Sequence, residues 1–475
     1  MRAGVLIPEA LRRFTGDLSR VITNGATIGE ALTDLFASHP DLRSHLLAAD
    51  GSLLEHLSIY VNDQDSASLD GLETLVSPGS ALRIIPSVSG GSQSPPSPLT
   101  SDEISRYSRH LTLPEVGVQG QRRLKNASVL LVGAGGLGSP LGLYLAAAGV
   151  GRLGLIDFDR VDYSNLQRQI IHGTSDVGRL KLDSARDRLR ETNPHVQLDL
   201  HHARFSAENA LQIASNYDLI IDGTDNFPTR YLVNDVCVLL GKPNVYGSIY
   251  RFDGQASVFS AGQGPCYRCL FPEPPPPGLV PNCAEGGVLG VLPGVIGTIQ
   301  ATEALKLLLG QGRPLIGRLL LFDALNMKFR EVKLRRVPSC PACGENPTIH
   351  GPSDLEASCS AAPSTNPAPS IRQWTPTELA AALQTDDRPT LLDVRSIQEW
   401  EIARIPGATL IPLPDLESRL HELDPTDQIV VYCKTGRRSN EAIGLLEQKG
   451  FEHSFGLRGG ICAWAEEVDP SMPTY

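Results

Sequence analysis

Apolar positions fall into three patterned blocks along the chain. In the first, the runs "VLIPEAL", "LSIYVND" and "ALRIIPSV" surround "TIGEALTDLFASHPDL", whose apolar residues recur at helical spacing. This predicts a small mixed α+β unit with strands at both ends. In the second, "SVLLVG", "RLGLIDFD" and "DLIIDGTD" alternate with helical stretches such as "SPLGLYLAAAGV". Strand–helix–strand order of this kind predicts a mostly parallel sheet. The third block repeats that order on a smaller scale, with "TLLDV", "QIVVYC" and a helix over "SNEAIGLLEQKG".

Two stretches lack any such pattern. "SGGSQSPPSPLTSDE" (89–103) and "NPTIHGPSDLEASCSAAPSTNPAPS" (346–370) are rich in Ser, Pro and Gly. Chains of that composition cannot bury a core and act as extended spacers. The expected domains are therefore 1–91, 101–345 and 371–475, with linkers at 92–100 and 346–370. A length of 475 residues agrees with about three domains.

The net charge of −11 disfavours a nucleic-acid surface, which needs clustered Lys and Arg. No run of apolar residues is long enough to cross a membrane. The start, "MRAGVLIPEALRRF", has too short an apolar stretch for a secretory signal. These features predict a cytoplasmic protein. Nine cysteines then point to metal or catalysis rather than to disulfides.

"SVLLVGAGGLGSPLGLYLAAAGV" is a strand, a glycine turn and a helix. Gly133, Gly135 and Gly138 fit G-x-G-x-x-G, and Asp157 ends the next strand 19 residues past Gly138. Such a turn brings backbone N–H groups to phosphates, and the acid holds ribose hydroxyls. A nicotinamide-dependent oxidoreductase would share these features. The residues that follow favour a triphosphate: "SNLQRQ" carries Arg168, Lys181 lies 13 residues further on, and "LIIDGTDNFPTR" brings Asp222 and Asp225–Asn226. Cations neutralise phosphate oxygens, and a strand-end carboxylate takes a hard metal such as Mg²⁺.

Cys266/Cys269 and Cys340/Cys343 form two C-x-x-C pairs with 70 residues between them. Four thiolates make a closed structural zinc site; two unrelated turns or a redox pair are the alternatives. Cys283 sits in the Pro-rich "PEPPPPGLVPNCAEGG". Cys433 follows an apolar strand in "IVVYCKTGRRS". There the loop amides of Lys434, Thr435 and Gly436, the next helix, and the charges of Lys434, Arg437 and Arg438 favour a thiolate. A cysteine phosphatase would need Arg at position 439, which is Ser. Cys237 and Cys462 read as core filler and Cys359 as an exposed thiol without a role.

"RYSRHLTLPEVGVQGQRRLKNASVLLVGAGGLGSP", "DFDRVDYSNLQRQ", "TDNFPTR" and "GVLPGVIGTIQATEALKLLLG" resemble the E1-like adenylyltransferases that activate sulfur-carrier proteins. The resemblance covers about 101–345 and implies a Rossmann-like domain. It implies ATP binding by Gly136, Asp157, Ser164, Asn165, Leu166, Gln167, Arg168, Lys181, Asp225 and Asn226. It adds Mg²⁺ on Asp225 and zinc on Cys266, Cys269, Cys340 and Cys343. Cys283 is implied to form a thioester or acyl-disulfide, and Arg168 to reach the partner subunit's phosphates across a homodimer.

Residues 371–475, with "LLDVRSIQEWEIARIPGATLIPL" ahead of the loop, resemble a single rhodanese domain with a persulfide on Cys433. A cysteine desulfurase or thiosulfate would load it. Residues 1–91 resemble a β-grasp, ubiquitin-like sulfur carrier, with "IYVNDQD" and "IIPSVSGG" most similar to the actinobacterial carrier for cysteine synthesis. Gly90–Gly91 would be its reactive tail, here fused to the enzyme. The implied reaction is adenylation of a carrier glycine and sulfur transfer to give a thiocarboxylate. The carrier would be this chain's own N-terminal domain after cleavage, or a separate protein. The end product would be cysteine, molybdopterin or thiamine. The rival reading is a ubiquitin-like activating enzyme whose end product is a protein conjugate.

Overall fold

The computed structural model describes residues 2–474 apart from 17, 48–50, 55–56, 62–63, 67–68, 78, 87–97, 276–285, 355–371 and 386–387. The chain divides into two compact units, Met1–Ala361 and Ala362–Tyr475. The first contains two sheets with separate cores.

The N-terminal sheet has the order β2-β1-β5-β3-β4, built from β1 (Arg2–Leu6), β2 (Arg20–Asn24), β3 (Leu57–Val61), β4 (Gln64–Asp65) and β5 (Ala81–Pro86). The first and last long strands pair in parallel at its centre, as a β-grasp requires. The helix Ile28–Ser38 packs on it through Ile28, Ala31, Leu32, Leu35 and Phe36. Thr27 caps this helix by accepting from the Glu30 amide at 3.2 Å. It stops two residues before Pro40, shorter than the apolar spacing alone predicts, because proline excludes the helical conformation from its predecessor.

The second sheet carries eight strands in the order β13-β12-β11-β10-β9-β6-β7-β8. These are β6 (Ser128–Val132), β7 (Arg152–Ile156), β8 (Gln197–His201), β9 (Leu219–Asp222), β10 (Asn244–Tyr250), β11 (Asp253–Phe259), β12 (Arg318–Asp323) and β13 (Lys328–Lys333). The five from β8 to β10 are parallel, as expected. The last three run antiparallel. Only Arg251 and Phe252 separate β10 from β11, too few for a crossover, so the chain turns back with Arg251 at φ 51°. The helices Gly138–Ala148 and Leu292–Leu309 cover one face of the sheet, and Phe227–Leu240 packs with the other core cluster.

Both Ser-, Pro- and Gly-rich stretches include residues that join the domain beside them. The first ends in a helix, Ser101–Arg106, whose capping box joins Thr100 and Glu103. Buried Glu103 also pairs with Lys125 at 2.7 Å. In the second, residues 346–354 pack onto the domain before them. Gly90–Gly91 lie outside the described residues.

The C-terminal unit is a parallel sheet in the order β14-β18-β17-β15-β16, from β14 (Gln373–Trp374), β15 (Thr390–Asp393), β16 (Thr409–Leu410), β17 (Ile429–Tyr432) and β18 (Ser454–Leu457). A salt bridge between Asp393 and Arg395, both fully buried, fixes the end of β15, and Arg395 also donates to the Ala403 carbonyl at 2.7 Å. Removing one partner strands a buried charge, at a cost of about 3–5 kcal/mol. Asp393→Ala is therefore expected to lower the unfolding transition of the C-terminal unit strongly. Calorimetry of the full chain checks this, and a loss of less than about 1 kcal/mol would contradict the buried-pair argument.

Candidate functional site

The glycine turn joins β6 to the helix Gly138–Ala148 and is too tight for any side chain at two positions. Gly133 has φ +100°, and a Cβ there would lie 2.9 Å from the Gly223 carbonyl. A Cβ on Gly138 would lie 2.1 Å from the Gly133 carbonyl. The turn is held from two sides. Asp157 accepts the Ala134 N–H at 2.8 Å with one oxygen and the Asp159 N–H at 2.9 Å with the other. His172 bonds the Ala134 carbonyl through Nε2 at 3.2 Å and Ser184 through Nδ1 at 2.8 Å. Burial holds the His172 pKa below its usual value, which keeps the ring neutral for this role.

A cleft of about 500 Å³ opens at this turn. Gly133, Gly135, Gly136, Asp157, Arg168, Lys181, Asp225 and Asn226 all line it. Lys181 is almost buried and reaches Asp159 at 2.8 Å. Asn226 caps the helix Phe227–Leu240 by accepting from the Thr229 amide at 3.0 Å. Asp225 is an exposed carboxylate beside it.

Other expected residues stand behind the cleft. Gly138 is buried beneath the turn. Ser164 accepts from Arg168 through its carbonyl at 3.1 Å, while Asp162 binds both the amide and the hydroxyl of Ser164. Asn165, Leu166 and Gln167 complete this segment but do not line the cleft, and Gln167 packs against Gly290. Arg168 lines the cleft beside Gly136. The single turn at Tyr163–Asn165 folds the segment back onto the glycine loop.

Asp222 differs from expectation. It is fully buried, and one oxygen takes both the amide and the hydroxyl of Thr224, at 3.0 and 2.6 Å. Burial pushes its pKa up, so it shapes the turn and leaves Asp225 as the exposed acid. Arg230, Asp159 and Asp354 line the cleft without having been singled out. Arg230 is buried and donates to Ser248 at 2.8 Å and to the Thr224 carbonyl at 3.1 Å. Its signal was its place one helical turn after Asn226.

The two cysteine pairs converge. The sulfurs of Cys266, Cys269, Cys340 and Cys343 all lie within 4.8 Å of one another. Cys266–Cys340 are 3.6 Å apart and Cys269–Cys343 3.4 Å. Metal–sulfur bonds of about 2.3 Å in a tetrahedron require sulfurs roughly 3.8 Å apart, so the donor set fits one metal ion. A hydrogen bond from Cys266, joined by those from Cys269 and Cys340, draws the Cys343 thiol down to about 5. The same bond and burial push Cys266 up. A divalent ion bound there would displace the remaining thiol protons. Cys283 and Cys359 lie outside the described residues.

In the C-terminal unit, Cys433 follows β17 and is 1% exposed. Its sulfur accepts the Gly436 N–H at 3.1 Å, at the start of the helix Arg437–Gln448. Ser439 places its hydroxyl 3.6 Å from the same sulfur. The same hydroxyl has one proton to give and lies closer to the Gly436 carbonyl, at 2.9 Å. Gly460 allows the neighbouring turn to approach: a Cβ there would lie 2.4 Å from the Cys433 carbonyl. Arg438 pairs bidentately with Glu399 at 2.6 and 2.7 Å, so its charge is shared with that acid rather than held for the loop alone. Cys237 is buried as expected, and Cys462 is only half-buried.

Residues 107–342 match the ThiF family, 375–467 the rhodanese-like domain and 5–91 the ThiS family. The probable adenylyltransferase/sulfurtransferase MoeZ of Mycobacterium tuberculosis is 50% identical over 388 residues, covering 80% of this chain and 97% of that protein. The adenylyltransferase and sulfurtransferase MOCS3-1 of Zea mays is 46% identical, covering 81% and 86%. Among solved structures, E. coli MccB with AMPCPP and MccA aligns at 21% identity and a TM-score of 0.46, over 55% of this chain and 78% of that one. Among the described residues no helix is long and apolar enough to cross a membrane. On the identity it shares with MoeZ and MOCS3-1, the chain belongs to the adenylyltransferase/sulfurtransferase family of enzymes, with a ThiS-family domain joined ahead of its ThiF and rhodanese-like parts.

Proposed function

We propose that this enzyme adenylates the C-terminal glycine of a sulfur carrier in its ThiF-type domain and hands sulfur to it from Cys433. The observation that carries the reading is the gathering of the glycine turn, Asp157, Arg168, Lys181, Asp225 and Asn226 around one cleft. Amides and cations there would hold the triphosphate, and Asp157 the ribose. Asp225 would hold Mg²⁺, which supplies charge neutralisation on the phosphates when bound. The carrier's carboxylate oxygen attacks the α-phosphorus, and the bond to pyrophosphate breaks. This converts a carboxylate, which has no usable leaving group, into an acyl-adenylate that can lose AMP.

Sulfur from a cysteine desulfurase or from thiosulfate would sit on Cys433 as a persulfide. Its terminal sulfur attacks the acyl carbon and AMP leaves. The Gly436 amide supports the reading, since it donates to this sulfur and stabilises negative charge there. Cys283 would receive the acyl group as a thioester, or its thiolate would attack the Cys433 sulfur of the acyl-disulfide, releasing the thiocarboxylate and leaving a Cys283–Cys433 disulfide that an external dithiol reductant returns to two thiols. The enzyme would work as a homodimer in the cytoplasm, where thiols stay reduced. The four-cysteine cluster would hold zinc in a structural role. The rhodanese-like domain favours this reading over protein conjugation, because conjugation has no use for a persulfide. The receiving pathway is one that consumes a thiocarboxylate: cysteine, molybdopterin or thiamine synthesis.

The N-terminal domain would be the carrier itself once the bond after Gly91 is cut. Mass spectrometry of the protein from its native host under sulfur starvation checks this. A fragment ending at Gly91 is expected, and intact chains alone would count against it. A tethered dock for a separate carrier would instead show as higher activity on added carrier when 1–91 is deleted.

Three variants test the division of labour. Cys433→Ala is expected to abolish thiocarboxylate while leaving ATP–pyrophosphate exchange within about twofold; loss of exchange would contradict the assignment. Asp225→Ala should cut that exchange about a hundredfold or more, and unimpaired exchange would remove Asp225 from the site. Purified protein should carry one zinc per chain by elemental analysis, and Cys340→Ser should lose it and melt at lower temperature. A native protein without metal would overturn the zinc reading.

A further inference from the structure

The segment after the second cysteine pair reaches from the cysteine cluster to the cleft. The amides of Thr348 and Ile349 both donate to the Pro341 carbonyl, at 2.8 and 3.0 Å, and Ile349 packs against the cluster. Five residues on, both oxygens of Asp354 accept the Ala207 N–H, at 3.1 and 3.2 Å, and Asp354 lines the cleft. Residues read as spacer from composition thus form a strap between two sites.

The loop that Asp354 grips supplies a wall of the cleft, through Ala203, Arg204, Phe205 and Ser206. The Arg204 guanidinium lies 5.2 Å from the centre of the Phe158 ring, and Phe158 is 53% exposed directly after Asp157. A flat aromatic surface beside a guanidinium suits the face of a purine, while the glycine turn and Lys181 suit phosphates. Asn209 braces the same loop, accepting from the Ser206 amide at 3.0 Å and donating to the Arg204 carbonyl at 2.8 Å. With that second brace in place, loss of Asp354 loosens the wall rather than collapsing it.

We propose that Asp354 is a positioning residue for the nucleotide base: by accepting the Ala207 N–H it sets the loop at 203–206 without touching the reacting phosphates. The inference rests on the reading of this cleft as an ATP site. It makes the start of the interdomain segment part of the adenylation domain's own machinery.

The test uses the full chain, a separately supplied carrier ending in Gly-Gly, and ATP–pyrophosphate exchange. Asp354 is half-buried at the rim, so substitutions there spare the core. Asp354→Ala should raise the KM for ATP about tenfold, the scale of a lost charge-assisted hydrogen bond at a partly exposed site, with kcat within about twofold. Asp354→Asn keeps an oxygen acceptor for the Ala207 N–H and should hold KM within about twofold of the parent. An unchanged KM in Asp354→Ala overturns the inference. So does an equal rise in both variants, since charge rather than the loop bond would then be at work. If the parent chain neither binds ATP nor exchanges pyrophosphate, the ATP reading falls first; an indifferent Asp354→Ala in an active parent removes only this inference.

Discussion

The carboxylate of Asp157 holds the cleft together. One oxygen ties the glycine turn to the end of β7, and the other orders Asp159, which in turn binds the nearly buried Lys181. A single side chain therefore sets the turn, the acid and the cation in register before any ligand arrives. This arrangement holds only because the turn can lie within contact of strand-end backbone at Gly133 and Gly138. A catalytic site built on fixed dipoles does not reorganise during reaction, which is where such sites gain most of their effect.

That core of the site is legible in the sequence because it is local. The strand, turn, helix and next strand follow one another, so Gly133, Gly135, Gly138 and Asp157 can be placed by spacing alone. The cysteines are half legible: each C-x-x-C announces a thiol pair, but nothing in 70 intervening residues announces that the pairs meet. Asp222 misleads, since a strand-end acid looks the same whether it faces a ligand or turns back onto Thr224. Arg230 acquires its role from contacts with another element, which local pattern does not encode. The antiparallel extension of the central sheet was missed for a related reason. Arginine seldom takes positive φ, so the two-residue turn at Arg251–Phe252 carries no turn signal.

Composition was the weakest guide. Ser, Pro and Gly mark both spacers, yet Thr100 and Glu103 start a helix by reciprocal capping. In the other spacer, two amide bonds to the Pro341 carbonyl, one apolar side chain and one acid seat 346–354. Low apolar content rules out an independent core; it does not rule out docking on a core that already exists. The boundary between linker and domain is thus set by what a segment can bind beside it.

The two chemistries stabilise negative charge on different atoms. Adenylation needs cations, because negative charge accumulates on phosphate oxygens as pyrophosphate leaves. Sulfur transfer needs the sulfur as an anion, which N–H donors and positive charge around the loop favour. The C-terminal loop sets the Gly436 amide at the sulfur, and Arg438 is paired with Glu399 beside it. The fused tail imposes a third condition. While Gly91 is joined to Ser92, its carbonyl belongs to an amide, whose oxygen bears no full charge and is a poor attacker of phosphorus. The intact chain would therefore be inert toward its own N-terminal domain until that one bond is hydrolysed.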